Sequence, residues 1–205
     1  MEDAMVENIF WLGHSSVRID GQQVIYIDPW KLRDPKGADL ILISHSHHDH
    51  LSPEDIRKIQ KNDTVIITTR DCAGELSGDV RIVKPGDVVQ VGEILVEAGR
   101  SYNIGKAFHP KENNWLGFVV TVMGKRIYYC GDTDLIPEME SISADIVIAP
   151  VGGTYTMNAE EAALAVNMIR PWVAIPVHYG DIVGSEKDAE RFRDLCEVPV
   201  AIKQA

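Results

Sequence analysis

The stretch Ile9 to Ile19 is rich in aromatic and β-branched residues, and Gln23 to Ile27 alternates apolar and polar positions. This predicts two strands joined at the hairpin turn Asp20-Gly21. Asp28-Pro29 is expected to end the second strand, because a residue before proline stays extended and proline breaks the ladder. Asp39 to Ser44 (DLILIS) is a short continuous apolar run, the pattern of a strand buried on both faces. Further strands are predicted over Thr64 to Thr69, Ile146 to Ala149, Val173 to Val177 and Val198 to Ile202. Val80 to Ala98 reads as a β-meander with turns at Pro85-Gly86-Asp87 and Gly92. Gly117 to Gly131 reads as a hairpin turning at Met123-Gly124-Lys125.

Helices announce themselves by their caps. Ser52-Pro53-Glu54-Asp55 supplies an N-cap, a proline at the first helical position and an acid at the third. Asn158 with Glu161 opens a helix that Pro171 stops near Arg170, and Ser185 caps a helix over Glu186 to Leu195. The chain is thus mostly β early in each half, with αβα units following. The expected architecture is α/β (α+β): a four-layer αββα sandwich of two mixed sheets flanked by helices, in a single domain over 1–205.

Composition narrows the partners more than the fold. The 31 acidic against 20 basic side chains give a net charge of −11 with no basic block. Nucleic acid and anionic membranes are therefore excluded as bulk electrostatic partners, while a locally positive pocket for a small molecule is not. The longest apolar runs have strand length, far short of the roughly 20 residues that span a bilayer. The opening MEDAMVENIF has no basic segment before an apolar run. Three widely spaced cysteines, Cys72, Cys130 and Cys196, read as reduced thiols. The expectation is a cytoplasmic protein without an integral membrane segment, acting on a small molecule, with homo-oligomerisation left open.

Four of the seven histidines fall in Ser44-His45-Ser46-His47-His48-Asp49-His50, between a buried strand and a capped helix. In extended chain His45 and His47 project to one side, and Asp49 and His50 approach from the turn toward Ser52. Neutral imidazoles with a carboxylate and no cysteine suit zinc, manganese or iron, in an open rather than a structural site. The competing readings are a solvated His-rich loop, or one or two histidines hydrogen-bonded in the core. Further candidates stand where the chain leaves other strands: His109 in Phe108-His109-Pro110, Asp132 in Gly131-Asp132-Thr133, and His178 in Val177-His178-Tyr179. Taken singly, Asp132 also fits a turn-forming residue, and the two histidines fit ordinary loop positions.

Together these residues resemble the metallo-β-lactamase-fold hydrolases: HxHxDH at His45 to His50, then His109, the GDTD from Gly131, and the VHYG around His178. Trp11-Leu12-Gly13-His14-Ser15-Ser16 and Pro150-Val151-Gly152-Gly153-Thr154 resemble more narrowly a lactonase-like, phospholipase-D-like branch. That branch includes ascorbate-6-phosphate lactonase and enzymes hydrolysing N-acyl-phosphatidylethanolamine. The resemblance implies two divalent ions, zinc before manganese or iron. It places His45, His47 and His109 on the first ion, Asp49, His50 and His178 on the second, and Asp132 between them. Asp132 stands where β-lactamases of this fold commonly carry a cysteine, which speaks against antibiotic hydrolysis. The length has no room for the added domains of glyoxalase II or the RNA-processing members.

Two divalent ions about 3.5–4 Å apart share a water and bring its pKa toward neutrality, giving a bridging hydroxide. Asp49 is the natural proton acceptor and later donor, and Asp28 is available to fix a ligand imidazole. The expected activity is cleavage of a small ester, lactone or phosphodiester. The rivals are an iron oxidoreductase of the same fold and a non-catalytic metal-binding protein.

His14 is read either as a contact to substrate or a hydrogen-bond donor behind the metal ligands, or as a buried histidine tying two strands. Tyr155 and Tyr179 are read as substrate-oxygen donors or as packing aromatics. His48, opposite the ligand side, is not expected to be a ligand. Lys106, Lys111 and Arg100 are read as solvated cations rather than as an anion-recognition set. Cys130 is read as a buried thiol rather than a nucleophile.

Overall fold

A computed structural model describes residues 2–205, so Met1, the first residue of the expected 1–205 domain, lies outside the described residues. The chain forms two compact units. One runs to Val83 and takes in Gln204 and Ala205; the other spans Lys84–Lys203.

The first unit contains α1 (Glu2–Glu7), β1 (Ile9–Gly13), β2 (Ser16–Ile19), β3 (Ile25–Ile27), β4 (Ala38–Leu42), α2 (Pro53–Ile59), β5 (Gln60–Thr68), α3 (Arg70–Ala73) and β6 (Asp79–Ile82). They make a six-stranded sheet in chain order, antiparallel across β1, β2 and β3 and parallel from β3 to β6. β4 has neighbours on both edges and is buried almost throughout, which is why its sequence is an unbroken apolar run. Ile56 and Ile59 of α2 pack with Tyr26, Ile41, Ile43 and Ile66 in one cluster. Truncating Ile56 there would cost about 2–5 kcal/mol. Ser52 caps α2 as expected, its hydroxyl accepting from the Asp55 backbone N–H at 3.3 Å.

Two expectations for this unit need correction. The stretch Ile9–Ile19 is a hairpin rather than one strand: Gly13 and His14 take positive φ (106° and 48°), and Gly13 pairs with Ser16. Asp28 does not stay extended before Pro29; its φ is 48°. Such a conformation costs on the order of 1–3 kcal/mol. It is held by the bonds Asp28 makes: its N–H donates to Leu42 O at 2.9 Å, and its C=O accepts from Ser16 Oγ at 2.6 Å.

The second unit contains β7 (Val88–Val91), β8 (Ile94–Arg100), β9 (Leu116–Val122), β10 (Lys125–Tyr129), β11 (Ile146–Pro150), α4 (Ala159–Ile169), β12 (Val173–Val177) and α5 (Glu186–Leu195), with short 3-10 turns at Lys111–Asn113 and Pro137–Ser141. Its sheet is ordered β12-β11-β10-β9-β8-β7, antiparallel from β7 to β10 and parallel from β10 to β12. The β9–β10 hairpin turns where expected, with Met123 and Gly124 both at positive φ (50° and 72°), as a tight hairpin turn requires. Asn158 and Glu161 form the reciprocal cap of α4, and Arg170 ends it in the left-handed region before Pro171. Buried Ala162, Ala163 and Ala165 give α4 a smooth inner face, whereas α5 buries Ala189 and Phe192 in an otherwise polar sequence.

Here too the strand reading needs two changes. β6 pairs in parallel with β5 instead of meandering into β7, so Pro85-Gly86-Asp87 separates two sheets. Val198 to Ile202 is no strand: Ala174 bonds Pro199 O and Ala201 N, and a single bridge joins Ala174 to Val200. Pro199 has no N–H to extend that ladder. The chain is therefore of the α/β class, with two mixed six-stranded sheets and flanking helices. No helix among the described residues is long and apolar enough to cross a membrane.

Candidate metal centre

In the first unit the chain leaves β4 at Ile43, whose N–H bonds Ile67 O at 3.0 Å, and enters the histidine segment through Ser44. Asp28, fully buried, anchors this exit. Its Oδ1 accepts from the Ser44 backbone N–H at 2.7 Å, and its Oδ2 from Ser44 Oγ at 2.6 Å. The same Oδ2 lies 2.7 Å from His50 Nδ1. A carboxylate can only accept, so His50 donates from Nδ1 and keeps a lone pair on Nε2. That is the tautomer a metal requires.

The turn His47–Leu51, closed by N–H bonds of His50 and Leu51 to His47 O (3.0 and 2.8 Å), returns Asp49 and His50 toward the strand end. His45 Nε2 lies 3.1 Å from His47 Nδ1, and the His45 and His50 ring centroids are 4.0 Å apart. His50 Nε2 is 3.7 Å from Asp49 Oδ2. His48 is at the surface, with 80% of its side chain exposed and its Nδ1 3.6 Å from Asp49 Oδ1. His14, read only as a candidate, is buried with Nε2 3.0 Å from Asp49 Oδ2. The left-handed turn after β1 delivers it there, secured by Trp11 Nε1 donating to His14 O at 2.7 Å.

In the second unit His109, Asp132 and His178 meet. Asp132 Oδ2 is 3.2 Å from His109 Nε2 and 3.0 Å from His178 Nε2, and all three side chains are buried. Asp132 follows Gly131, whose φ is +69° and whose site would put a Cβ 2.5 Å from Leu116 O. Only glycine fits there without strain. Gly152 is equally confined, since a Cβ there would meet His178 O at 2.4 Å. His178, itself at φ 59°, sits directly after β12.

Tyr179 is nearly fully buried, and burial, with Glu186 adding to it, pushes its phenol up to about 12, so it is a neutral donor at ordinary pH. Tyr155 packs edge-on against Phe108 at 4.7 Å, and its carbonyl accepts from Asn103 Nδ2.

The flanking cations are all paired, but Lys111 and Arg100 keep 49% and 36% of their side chains exposed, as solvated cations do, whereas Lys106 keeps 27%. Lys106 Nζ bonds Asp134 Oδ1 (2.7 Å) and Thr156 O (2.8 Å), and Lys111 Nζ bonds Tyr102 Oη and Glu138 Oε1 (3.0 Å each). Arg100 Nη1 donates to Asn114 Oδ1 at 3.3 Å. In an acidic chain most cations near a carboxylate find one. Cys130 is fully buried, and burial raises its thiol far above the ordinary range, so it is no nucleophile. Sequence reading assigned no role to Ser44, Asn103 and Asp134, although Ser44 opens the histidine stretch and Asp134 ends the GDTD.

His14, His45, His47, Asp49 and His50 of the first unit, and His109, Asp132 and His178 of the second, each belong to groups of donor atoms that could hold a metal ion. The donor chemistry fits one. Closely spaced imidazoles and carboxylates are buried in both units, and at least one imidazole is held in the metal-ready tautomer by a carboxylate.

Residues 8–178 match the Beta-lactamase superfamily domain. The chain is 35% identical over 208 residues to a UPF0173 metal-dependent hydrolase of Thermoplasma acidophilum, covering 91% of this chain and 89% of that protein. A Parabacteroides distasonis protein described as a metal-dependent hydrolase superposes with a TM-score of 0.85 at 33% identity, over 95% of this chain and 91% of that one. A Thermotoga maritima protein described as a Zn-dependent hydrolase of the metallo-β-lactamase superfamily gives 0.66 at 21% identity, over 95% and 97%, a likeness of fold alone. Fold and donor set define a metal-dependent hydrolase. The chain belongs to the metallo-β-lactamase superfamily and, within it, to the UPF0173 metal-dependent hydrolases.

Proposed function

We propose that residues 1–205 act as one cytoplasmic hydrolase domain in which His45, His47, Asp49, His50, His109, Asp132 and His178 hold two divalent ions, zinc before manganese or iron. The observation that carries this reading is Asp132, a buried carboxylate with one oxygen within 3.2 Å of two imidazole nitrogens. An acid so placed is suited to sit between two cations. When bound, the ions would polarise the substrate oxygen and acidify a shared water.

The chain's own residues do the rest. Asp49 takes the proton of the attacking water and returns it to the leaving group. His14, 3.0 Å from Asp49 Oδ2, holds that carboxylate in place. Asp28 keeps His50 turned toward the site through Nδ1. Tyr179, neutral at working pH, is a candidate donor to the substrate oxygen, and Tyr155 a candidate wall of the pocket.

The substrate is a small ester, lactone or phosphodiester. The acidic surface of a chain with net charge −11 disfavours nucleic acid. The test is hydrolysis of a phosphodiester, a lactone and a thioester by chelated protein refilled with zinc or manganese. Activity lost on chelation and regained on refilling supports the reading. Iron content with a visible absorption band and no hydrolysis would replace it with oxidoreductase chemistry.

A further inference from the structure

The loop that carries His109 is built on the loop that carries Asp132. Ser101 Oγ donates to Asp132 O at 2.9 Å, the Tyr102 N–H donates to Thr133 Oγ1 at 3.2 Å, and the Asp134 N–H donates to Tyr102 O at 3.0 Å. Asp134 closes the seam: its Oδ2 accepts from the Ile104 N–H at 2.7 Å, and its Oδ1 from Lys106 Nζ at 2.7 Å and Asn103 Nδ2 at 3.0 Å. Asn103 sits at the centre. Its Nδ2 also donates to Tyr155 O at 2.8 Å. Its Oδ1 lies 3.0 Å from the His109 backbone N–H and 2.9 Å from His109 Nδ1.

The three of these contacts whose roles are fixed, to Asp134, the Tyr155 carbonyl and the His109 backbone N–H, decide which end of the amide is which. A carboxylate and a carbonyl need the NH2, and a backbone N–H needs the oxygen. Turning the amide over would set acceptor against acceptor and donor against donor. With the oxygen facing Nδ1, a proton there makes a hydrogen bond, whereas a bare Nδ1 would set two acceptors 2.9 Å apart. Nε2 also faces an acceptor, Asp132 Oδ2, but at the longer 3.2 Å, so the one proton of the neutral ring belongs on Nδ1 and the lone pair on Nε2, where a metal would take it.

We propose that Asn103, locked by Asp134, is a positioning residue that sets His109 in its metal-binding tautomer and direction. Lys106 serves the same lock: its charge is spent on Asp134 and on the carbonyls of Gly153 (3.4 Å) and Thr156 (2.8 Å), so it does not recognise the substrate. The proposal rests on His109 being a metal donor, but its core is a statement about a proton that can be read without metal.

The decisive experiment is long-range 1H–15N correlation of the imidazole nitrogens in metal-free, uniformly labelled protein, with His109 assigned by the signals missing from His109→Gln. Read at a pH where the ring is neutral, a single proton on Nδ1 supports the proposal; a bare Nδ1 with the proton on Nε2 overturns it. In Asn103→Leu the His109 signals should shift toward the other tautomer, and zinc affinity by chelator competition should fall about 10–100-fold. Unchanged His109 signals and unchanged affinity in a folded Asn103→Leu protein would also overturn it. If that variant does not fold, the unaltered chain still decides. Should the wild-type protein take up no metal, the two-metal reading fails on its own, while the His109 spectrum still tests Asn103.

Discussion

The two units bring donors together by opposite routes. The first gathers His45, His47, Asp49 and His50 from one six-residue stretch, where strand exit and a tight turn do the work locally. The second collects His109, Asp132 and His178 from positions far apart in the chain, after three different strands, and fixes two of them through a hydrogen-bonded seam. The local group is specified by its spacing. The dispersed group is specified by loops that need particular glycines, an asparagine and a second aspartate to hold shape.

The largest effect should come from Asp132→Ala, because one oxygen serves two imidazoles. Metal content and hydrolysis should fall well beyond the roughly 10–100-fold cost of losing an outer partner. His48→Ala, removing an exposed ring from the local group, should leave stability within about 0.5 kcal/mol and activity near wild type. Similar activities in the two variants would erase the comparison.

Asp28→Ala comes next. It strips three donors, Ser44 N–H, Ser44 Oγ and His50 Nδ1, of their buried acceptor. Thermal unfolding should show a loss of about 3 kcal/mol, and zinc competition a roughly 10–100-fold weaker site. A variant as stable as wild type would mean that the local group needs no scaffold at all.

Gly131→Ala sharpens the contrast from the other side. A methyl group there meets Leu116 O at 2.5 Å in a left-handed backbone. Denaturant titration should show a loss of at least about 2 kcal/mol. Metal retention should weaken with it, because Asp132 is the next residue.

The smallest effect is a pH dependence in the first unit. Burial acts to raise the Asp55 carboxyl, but bonds from Lys58, Ser52 and the N–H groups of Lys31 and Leu32 outweigh it and hold it below the usual range. A depressed folded value stabilises the protein above the unfolded value, about 3.9. That contribution is lost as pH falls through the lower folded value. Acid unfolding curves of Asp55→Asn should therefore be flatter than wild type across that window, and parallel curves would assign the stabilisation elsewhere.

Most strands, the three principal helices and their caps were legible from pattern and cap residues. What escaped was non-local. In Ile9–Ile19 only Gly13 and the serines after it hint at the turn, and the second left-handed residue is a histidine held by contacts distant in sequence. β6 looks like part of a meander until its parallel pairing with β5 is seen. Among site residues, the HxHxDH cluster was readable as chemistry, whereas His109, Asp132 and His178 were each ambiguous until taken with a family pattern. The roles of Asn103, and of Ser44 and Asp134 although these flank ligand positions, were not readable, since a polar loop residue looks the same whether it faces water or a ligand.

The proposed chemistry depends on two ions held by the two donor groups. The most direct test is metal content per chain, by mass spectrometry of untagged protein purified without added metal and again after refilling. Two ions per chain are expected, falling in Asp132→Ala. One ion or none in the refilled wild-type protein would contradict the account and remove the two-metal mechanism.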